Sequence, residues 1–349
     1  MNHLQRLYDQ FGQSPWLDNL SRDLLESGGL QSYIDQGIRG VTSNPTILEK
    51  AISSSNLYDT QIAELKAQGL DTEAVYWKIV EQDIKAATEV LRPLYDASNG
   101  KDGFVSLEVS PNLAKDAEAT LIEARRLWQE VNAPNLMIKV PATDECIPVI
   151  SMLLSEGINV NVTLIFSLDH YRKVVDAYKD GIRNISTAIP QSVASFFISR
   201  IDTEVDKRLE TIGTEEALNL RGQAAVANAH QAYKIFLDAF QDSQTVQRIL
   251  WASTGTKNLN YDDLMYVRYL LGQNTVNTMP EETIQKVIDH LSEDSRAVND
   301  ADIAHADWVI AQIGDVGVNM DEVFEALEAE GVQKFTASFD TLLVAIAAK

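Results

Sequence analysis

The chain alternates short apolar runs with longer amphipathic, charge-rich segments, and this alternation limits the folds that it can form. Eight runs have the length and apolar character of buried strands: residues 14–20, 37–44, 103–109, 135–140, 158–166, 192–199, 248–254 and 274–279. A segment of helical periodicity follows each of them. Alternating β and α elements predict a parallel sheet, and eight strands favour closure into a (β/α)8 TIM barrel.

Extra helices are expected at three places. They lie between strands two and three (residues 46–98), after strand six (about residues 201–240) and at the C-terminus (302–349). No Pro/Gly/Ser-rich linker separates these segments. We therefore expect residues 1–349 to form one (β/α)8 domain with helical decorations.

The charge balance restricts the partners. A formal net charge of −22 argues against nucleic acid or an anionic membrane as partner. Apolar runs fall short of the roughly 18 residues of a membrane span. A phosphorylated substrate would need a local cluster of basic side chains or backbone N–H groups against this adverse field.

Cysteine and histidine usage points to a reduced compartment and no metal. The single Cys146 excludes an internal disulfide, and the N-terminus lacks an apolar signal core, so we expect a cytoplasmic protein. The five histidines form no HxH or HxxxH pair, which makes a zinc or iron site unexpected.

Lys139 interrupts an apolar strand. Leu136, Ile138 and Val140 point to one side of this strand, and Met137 and Lys139 point to the other. Pro141 is expected to stop the strand. A buried ammonium group finds a counter-charge or loses its proton, and a neutral buried lysine is the nucleophile of Schiff-base chemistry.

A structural role for Lys139 is the alternative. A lysine near a strand end can reach solvent or pair with Asp144 or Glu145. Taken alone, Lys139 favours this role, because catalytic lysines are rare.

Two polar residues lie at the carboxyl ends of the first two predicted strands. Asp18 lies near a strand carboxyl end, where barrel catalytic groups occur, although it can also serve as a helix cap; Ser21 suits that role better. Asn44 precedes Pro45, the pattern of an N-cap with proline at the first helical position. A substrate-binding amide is the other interpretation of Asn44.

The third strand predicts an inward carboxylate. Val105, Leu107 and Val109 form an apolar face suited to packing against helices, so Ser106 and Glu108 point into the barrel. A carboxylate there is costly unless it is paired, protonated or catalytic.

The fifth strand repeats this pattern. Its odd-numbered residues Asn159, Asn161 and Thr163 point inward, either to satisfy one another or to join a site. With Lys139 and Glu108 they fit a lysine nucleophile, a carboxylate acid/base and a hydroxyl that positions a water.

The late strands suggest a phosphate site. Ser195 and Phe197 share one face of strand six, and Arg200 lies just beyond its end. After strand seven, the hydroxyls, the flexible glycine and the ammonium of ASTGTKN resemble a phosphate cradle; they belong to Ser253, Thr254, Gly255, Thr256 and Lys257.

Six motifs together resemble the transaldolases of the longer bacterial and plastid branch. They are WLDNLSRDLL, GIRGVTSNPTI, LMIKVPAT, GINVNVTLIFS, VASFFISRIDTEVD and LWASTGTKN, and the likeness runs from about residue 14 to beyond 280. The resemblance implies a cofactor-free (β/α)8 transferase of the non-oxidative pentose phosphate pathway. It would move a dihydroxyacetone unit from sedoheptulose 7-phosphate or fructose 6-phosphate to glyceraldehyde 3-phosphate or erythrose 4-phosphate, as a monomer or homodimer.

The resemblance also implies roles by position. Lys139 is similar to the Schiff-base lysine, Asp18 to the residue that takes and returns the C4 hydroxyl proton, and Glu108 with Thr163 to the pair that moves protons through a water. The remaining implied residues contact substrate: Asn44, Asn161, Ser195, Phe197, Arg200, Ser253 and Lys257. The short-chain branch reads Ser-x-Arg at its phosphate site; here Gly255 takes the arginine's place, so Lys257 would supply the charge.

Two rival functions stay open on sequence. The resemblance extends to the fructose-6-phosphate aldolases, which have shorter chains, a glutamine at the position of Glu108 and a tyrosine near the position of Phe197. Glu108 and Phe197 therefore favour a transferase. A non-catalytic sugar-phosphate-binding barrel is the second rival; it has no use for an internal lysine–glutamate pair.

Overall fold

Eight parallel strands close into a barrel in the computed structural model, which describes residues 2–185 and 188–349. The strands are β1 (Gln13–Leu17), β2 (Gly40–Thr42), β3 (Phe104–Glu108), β4 (Leu136–Pro141), β5 (Val160–Ile165), β6 (Ser192–Phe197), β7 (Arg248–Ala252) and β8 (Thr275–Met279). Each strand pairs with its neighbour in the chain, and β8 pairs with β1. The predicted (β/α)8 TIM barrel is confirmed.

Helices surround the barrel. The described residues contain α1 (His3–Phe11), α2 (Arg22–Glu26), α3 (Gly29–Gln36), α4 (Pro45–Ser54), α5 (Asp59–Ala67), α6 (Thr72–Ala97), α7 (Ala117–Val131), α8 (Ile147–Ser155), α9 (Leu168–Ile182), α10 (Ser199–Ile212), α11 (Glu215–Asn219), α12 (Ala224–Phe240), α13 (Met265–Arg268), α14 (Glu281–His290), α15 (Asp300–Asp315) and α16 (Met320–Ala348), besides a 3₁₀ turn at Pro111–Leu113. Each of these helices is too short or too polar to cross a membrane.

The extra helices lie where the sequence predicts them. The segment between β2 and β3 forms α4, α5 and α6, and the C-terminal stretch forms α15 and α16. The long helix α16 packs against α4, α6 and α10, and the Thr46 and Ser338 hydroxyls join α4 to α16 at 2.9 Å. The C-terminal helix therefore reaches the end of the barrel from which α4 and α10 begin.

Charged side chains close the opposite, amino-terminal end of the barrel. The fully buried Asp102 accepts hydrogen bonds from Ser14 Oγ at 2.6 Å, Arg39 Nε at 2.8 Å and Arg248 Nη1 at 3.0 Å. A buried carboxylate with three such donors is fully paired. This cluster joins β1, the residue before β2, and β7 at the start of the strands.

Candidate active site

A cavity of about 330 Å³ opens at the carboxyl ends of the strands. Nine of the eleven predicted site residues line it: Asp18, Asn44, Lys139, Thr163, Ser195, Phe197, Arg200, Ser253 and Lys257. The other two, Glu108 and Asn161, hydrogen bond to residues of this group. The carboxyl ends of barrel strands are the usual position of an active site in this fold.

Lys139 forms a buried ion pair with Glu108. The two are register partners on β4 and β3, and Lys139 Nζ donates to Glu108 Oε2 at 3.0 Å and to the Ser43 carbonyl at 3.3 Å. Their side chains are only 6% and 7% exposed. Pairing of Lys139 with Asp144 is wrong, because Asp144 binds Lys173 at the surface.

The environment of Glu108 favours its protonated form. Burial raises the pKa of the Glu108 carboxyl, and the nearby Asp18 charge acts in the same direction; the Lys139 charge and hydrogen bond offset only part of this rise. The raised pKa makes this carboxylate a stronger base toward the ammonium that it contacts at 3.0 Å, so it is placed to accept a proton from it. That transfer leaves a neutral amine, which is the nucleophilic form of lysine.

Asp18 directly follows β1 and faces the same cavity. Its Oδ1 accepts a hydrogen bond from Thr42 Oγ1 at 2.6 Å, while its backbone N–H donates to the Met279 carbonyl. Protein atoms surround the carboxyl group, and this burial raises its pKa despite the Thr42 bond and the charges of Lys139 and Arg200. Ser21 caps α2, so Asp18 is not used as that helix cap.

Thr163 carries a buried hydroxyl without a partner. Its Oγ1 is enclosed and makes no hydrogen bond to any described residue. The next residue, Leu164, has φ +60°, and the β5–β6 register shifts between Val162 and Ile165. Such an irregularity redirects side chains near active sites. Thr163 and Lys139 line the same cavity, and the Thr163 hydroxyl has its hydrogen-bonding capacity unused by the described residues.

Asn161 lies beneath the cavity in a chain of hydrogen bonds. Ser195 Oγ donates to Asn161 Oδ1 at 2.6 Å, and Asn161 Nδ2 donates to Ser106 Oγ at 2.9 Å. Asn161 thus orients the Ser195 hydroxyl, which does line the cavity. Asn159 instead binds the Pro134 and Leu136 carbonyls at the amino-terminal end of the strands, outside the site.

Asn44 caps α4, as one of its two interpretations predicts. Its Oδ1 accepts from the backbone N–H of Ile47 at 3.0 Å, with Pro45 at the first helical position. The cap uses only the amide oxygen. Because Asn44 also lines the cavity, its amide nitrogen can still donate to a ligand.

The loop after β7 forms a smaller cradle than the sequence suggests. Ser253, at φ +57°, and Gly255 line the cavity, and the Lys257 ammonium lies 3.7 Å from the position that a Cβ on Gly255 would occupy. The Lys257 ammonium thus lies close to Gly255, the position of the arginine in the Ser-x-Arg motif of the short-chain branch. Thr254 and Thr256 are not among the residues that line the cavity; the Thr254 hydroxyl bonds Asn277, and the Thr256 hydroxyl bonds the Asp262 carbonyl.

Sequence reasoning missed several lining residues on helices. Lys50 comes from α4, and Lys334 and Phe335 come from α16. The Phe335 ring centroid lies 5.8 Å from Lys139 Nζ and 5.9 Å from Arg200 Cζ, so α16 forms part of the cavity wall. A strictly alternating apolar pattern marks strand residues, but nothing comparable marks a polar residue at a helix surface.

Fold and site together define a (β/α)8 enzyme with a buried lysine–carboxylate pair at the strand carboxyl ends. A family model described as Transaldolase/Fructose-6-phosphate aldolase matches residues 15–346. A transaldolase from Mycobacterium tuberculosis is 49% identical over 349 residues, covering 95% of this chain and 93% of its own length. Transaldolases from Mycobacterium leprae (47% identity, 95% and 92% coverage) and Mycolicibacterium paratuberculosis (48%, 95% and 93%) are also similar. The chain belongs to the transaldolase/fructose-6-phosphate aldolase family, as the sequence motifs predict.

Proposed function

We propose that this protein is a transaldolase that moves a dihydroxyacetone unit from a ketose phosphate to an aldose phosphate through an imine on Lys139. The proposed substrates are those of the non-oxidative pentose phosphate pathway, with sedoheptulose 7-phosphate or fructose 6-phosphate as donor. The observation that carries this proposal is the buried 3.0 Å pair of Lys139 and Glu108 in a cavity that also holds Asp18 and the Thr163 hydroxyl.

Imine formation uses Glu108 and Thr163. Proton transfer to Glu108 frees the Lys139 amine, which attacks the ketone carbon of the donor and forms a carbinolamine. Loss of the carbinolamine hydroxyl as water needs a proton, and Glu108 returns the one that it took from the ammonium. The unpaired Thr163 hydroxyl positions the departing water. The product is a protonated imine, which withdraws electrons from the adjacent carbon.

Bond cleavage uses Asp18. The Asp18 carboxylate takes the proton of the donor's C4 hydroxyl as the C3–C4 bond breaks, and the electron pair of that bond passes to the iminium. The shorter aldose phosphate leaves. The bound three-carbon enamine then adds to the acceptor aldehyde, Asp18 returns its proton to the new hydroxyl, and hydrolysis of the imine releases the product.

The remaining predicted residues hold the substrate. Asn44 and Ser195 line the cavity: the Asn44 amide nitrogen donates to a substrate hydroxyl, and Ser195 Oγ, whose O–H donates to Asn161, accepts from one. Arg200, Ser253 and Lys257 bind the phosphate. Phosphate binding far from the reacting carbon supplies energy that orients the aldehyde for addition.

Fructose-6-phosphate aldolase activity is the second candidate, because the matching family description includes it. The Phe197 side chain supports the transferase activity. Its ring centroid lies 5.3 Å from that of Phe166, and the ring has no polar group that could hold a water next to the enamine. Dihydroxyacetone release without an acceptor separates the two activities. Release as fast as transfer would favour the aldolase.

Borohydride trapping tests the imine. Reduction in the presence of fructose 6-phosphate should add one three-carbon or six-carbon unit to Lys139, located by peptide mass spectrometry. The variant Lys139→Met should take up none, whereas Lys173→Met, which removes a surface lysine on α9, should react like the parent. Absence of an adduct on Lys139 in the parent protein refutes the proposal and leaves a binding protein.

The proposal extends to a cytoplasmic enzyme that acts as a monomer or homodimer. The one cysteine, Cys146, is a buried free thiol, and this suits a reducing compartment. Sedimentation velocity at micromolar concentration measures the oligomeric state.

A further inference from the structure

Four cationic side chains from four separate elements surround the cavity mouth. They are Lys50 of α4, Arg200 of α10, Lys257 of the β7 loop and Lys334 of α16. Within the described residues, none of the four has an acidic side-chain oxygen within 4.0 Å. Uncompensated cations in a chain of net charge −22 require a reason, since acidic partners are abundant.

Lys334 lies where the cavity meets a second cleft. A second cleft of about 650 Å³ runs between α10 and α16 beside the first cavity. Arg200, Ser253, Lys257 and Lys334 are the polar residues that line both. Their shared boundary is therefore a small region reached by one guanidinium, two ammonium groups and one hydroxyl. Lys50 lines the first cavity only.

We propose that Lys334 is a phosphate-binding residue, so that the C-terminal helix supplies a cation to the same anion as Arg200, Ser253 and Lys257. This inference rests on the proposed use of phosphorylated substrates. It assigns a binding role to a residue outside the strand-end positions that normally form such a site.

The local electrostatics agree with this role. Partial burial and the charges of Arg200, Lys257 and Lys50 lower the pKa of Lys334. A dianionic phosphate among these groups removes their mutual repulsion. Two acidic side chains line the second cleft: Glu204 of α10, which pairs with Arg208, and Glu330, one turn earlier on α16, which acts on Arg200 but makes no ion pair with Lys334. Lys334 is thus not held by a helical i,i+4 salt bridge.

The test compares Lys334→Met with Lys334→Arg and with Lys234→Met. Lys234 is an exposed lysine on α12 that lines a different cleft, so its loss makes the same change in net charge away from the site. Calorimetric titration with inorganic phosphate measures anion affinity directly. Steady-state transfer is measured with glyceraldehyde 3-phosphate and with unphosphorylated D-glyceraldehyde as acceptors.

We expect Lys334→Met to weaken phosphate binding about tenfold and to raise KM for glyceraldehyde 3-phosphate by a similar factor. The donor is also phosphorylated, so every assay is run with the donor saturating. Under that condition kcat/KM for D-glyceraldehyde should not change, and Lys334→Arg should restore most of the affinity for phosphate. Equal behaviour of the Lys334→Met and Lys234→Met variants would overturn the inference, as would an equal loss with both acceptors. The titration needs no turnover, so failure of the transaldolase proposal shows separately as a parent protein without imine or transfer.

Discussion

At the scale of single residues, the site contains two carboxyl groups, the buried Glu108 and the partly buried Asp18, which differ in their hydrogen-bond partners. Burial raises the pKa of both Glu108 and Asp18. Glu108 contacts the Lys139 ammonium directly, whereas Asp18 accepts from the neutral Thr42 hydroxyl. In the proposed mechanism, Glu108 exchanges protons with the Lys139 nitrogen and Asp18 exchanges them with a substrate oxygen.

The first prediction concerns Glu108. Glu108→Gln keeps the shape of the side chain but cannot take the ammonium proton or protonate the leaving hydroxyl. We expect kcat to fall by about 10²- to 10⁴-fold, with imine formation slowed equally. Single-turnover trapping on Lys139 measures that step. Glu145→Gln, at the exposed residue next to Asp144, is the matched control and should leave both rates unchanged. Normal trapping in Glu108→Gln would remove Glu108 from this step.

At neutral pH, the ionised Asp18 carboxylate is expected to lower the free energy of unfolding. Its raised pKa means that the native state holds the proton more tightly than the unfolded chain does, for which 3.8 is the ordinary value. Stability from this group is thus complete only below pH 3.8 and is lost as the pH rises through the native pKa. Asp18→Asn should be more stable than the parent at pH 7, by about 1 kcal/mol, and almost inactive. Urea unfolding from pH 7.5 to 4.5 should show the gain shrinking toward acid; a constant gain would contradict this origin.

Asn44 caps helix α4 and also lines the cavity, and two substitutions distinguish its capping role from a substrate-binding role. Asn44→Ser keeps a cap acceptor but loses the amide nitrogen, while Asn44→Ala loses both. Asn44→Ala should cost about 1 kcal/mol of stability and Asn44→Ser only a few tenths. Both should lower kcat/KM by about tenfold or more if the amide binds substrate. Full activity in Asn44→Ser would leave Asn44 with the cap alone.

At the scale of elements, the C-terminal helix completes the cavity. Phe335 and Lys334 lie on one face of α16, and Gly331 lies one turn before them. A Cβ at Gly331 would come within 2.9 Å of Leu164 Cδ2 and 3.6 Å of Arg200 Nη1. The missing side chain therefore lets α16 lie directly on the irregular segment of β5.

Gly331→Val should lift α16 from the barrel. We expect about 1–3 kcal/mol of destabilisation beyond that of Gly314→Val, since Gly314 on α15 has open space where a Cβ would go. KM for phosphorylated acceptors should rise together with amide exchange along α16. Both can be measured on the same preparation by steady-state assay and hydrogen-exchange mass spectrometry. Equal effects at the two glycines would mean that α16 tolerates the added volume.

The strands were readable from sequence because their period of two assigns a direction to each side chain. Glu108, Lys139 and Thr163 were placed inward on this basis, and the structure has all three at the site. The bulge at Leu164 was not readable, since an apolar residue in an apolar run gives no sign of positive φ. Lys50 and Lys334 resemble any exposed helix lysine. Only the packing of α4 against α16, nearly 300 residues apart in the chain, brings them together.

At the scale of the whole molecule, a net charge of −22 opposes the approach of a phosphorylated sugar. Lys50, Arg200, Lys257 and Lys334 give the cavity mouth a local excess of positive charge. Salt weakens the repulsion by the acidic surface and the attraction by the cations at different concentrations. The screening length falls from about 30 Å at 0.01 M to about 8 Å at 0.15 M, so charges far from the substrate lose their effect first. The distant acidic surface is screened first, and the clustered cations, which lie close to the bound phosphate, are screened last.

We therefore expect a maximum in the salt dependence of kcat/KM for glyceraldehyde 3-phosphate. The value should rise by about two- to fivefold from 0.01 to 0.15 M of a monovalent salt and fall again toward 1 M, where the screening length is about 3 Å. The uncharged D-glyceraldehyde should give a flat profile and serves as the control. The rise of kcat/KM at low salt comes from screening of the acidic surface, so the Lys334→Met variant should still show it. The fall of kcat/KM at high salt comes from screening of the cations, so it should be smaller in this variant. A monotonic decrease from 0.01 M in the parent protein would mean that the local cations dominate substrate capture at every distance.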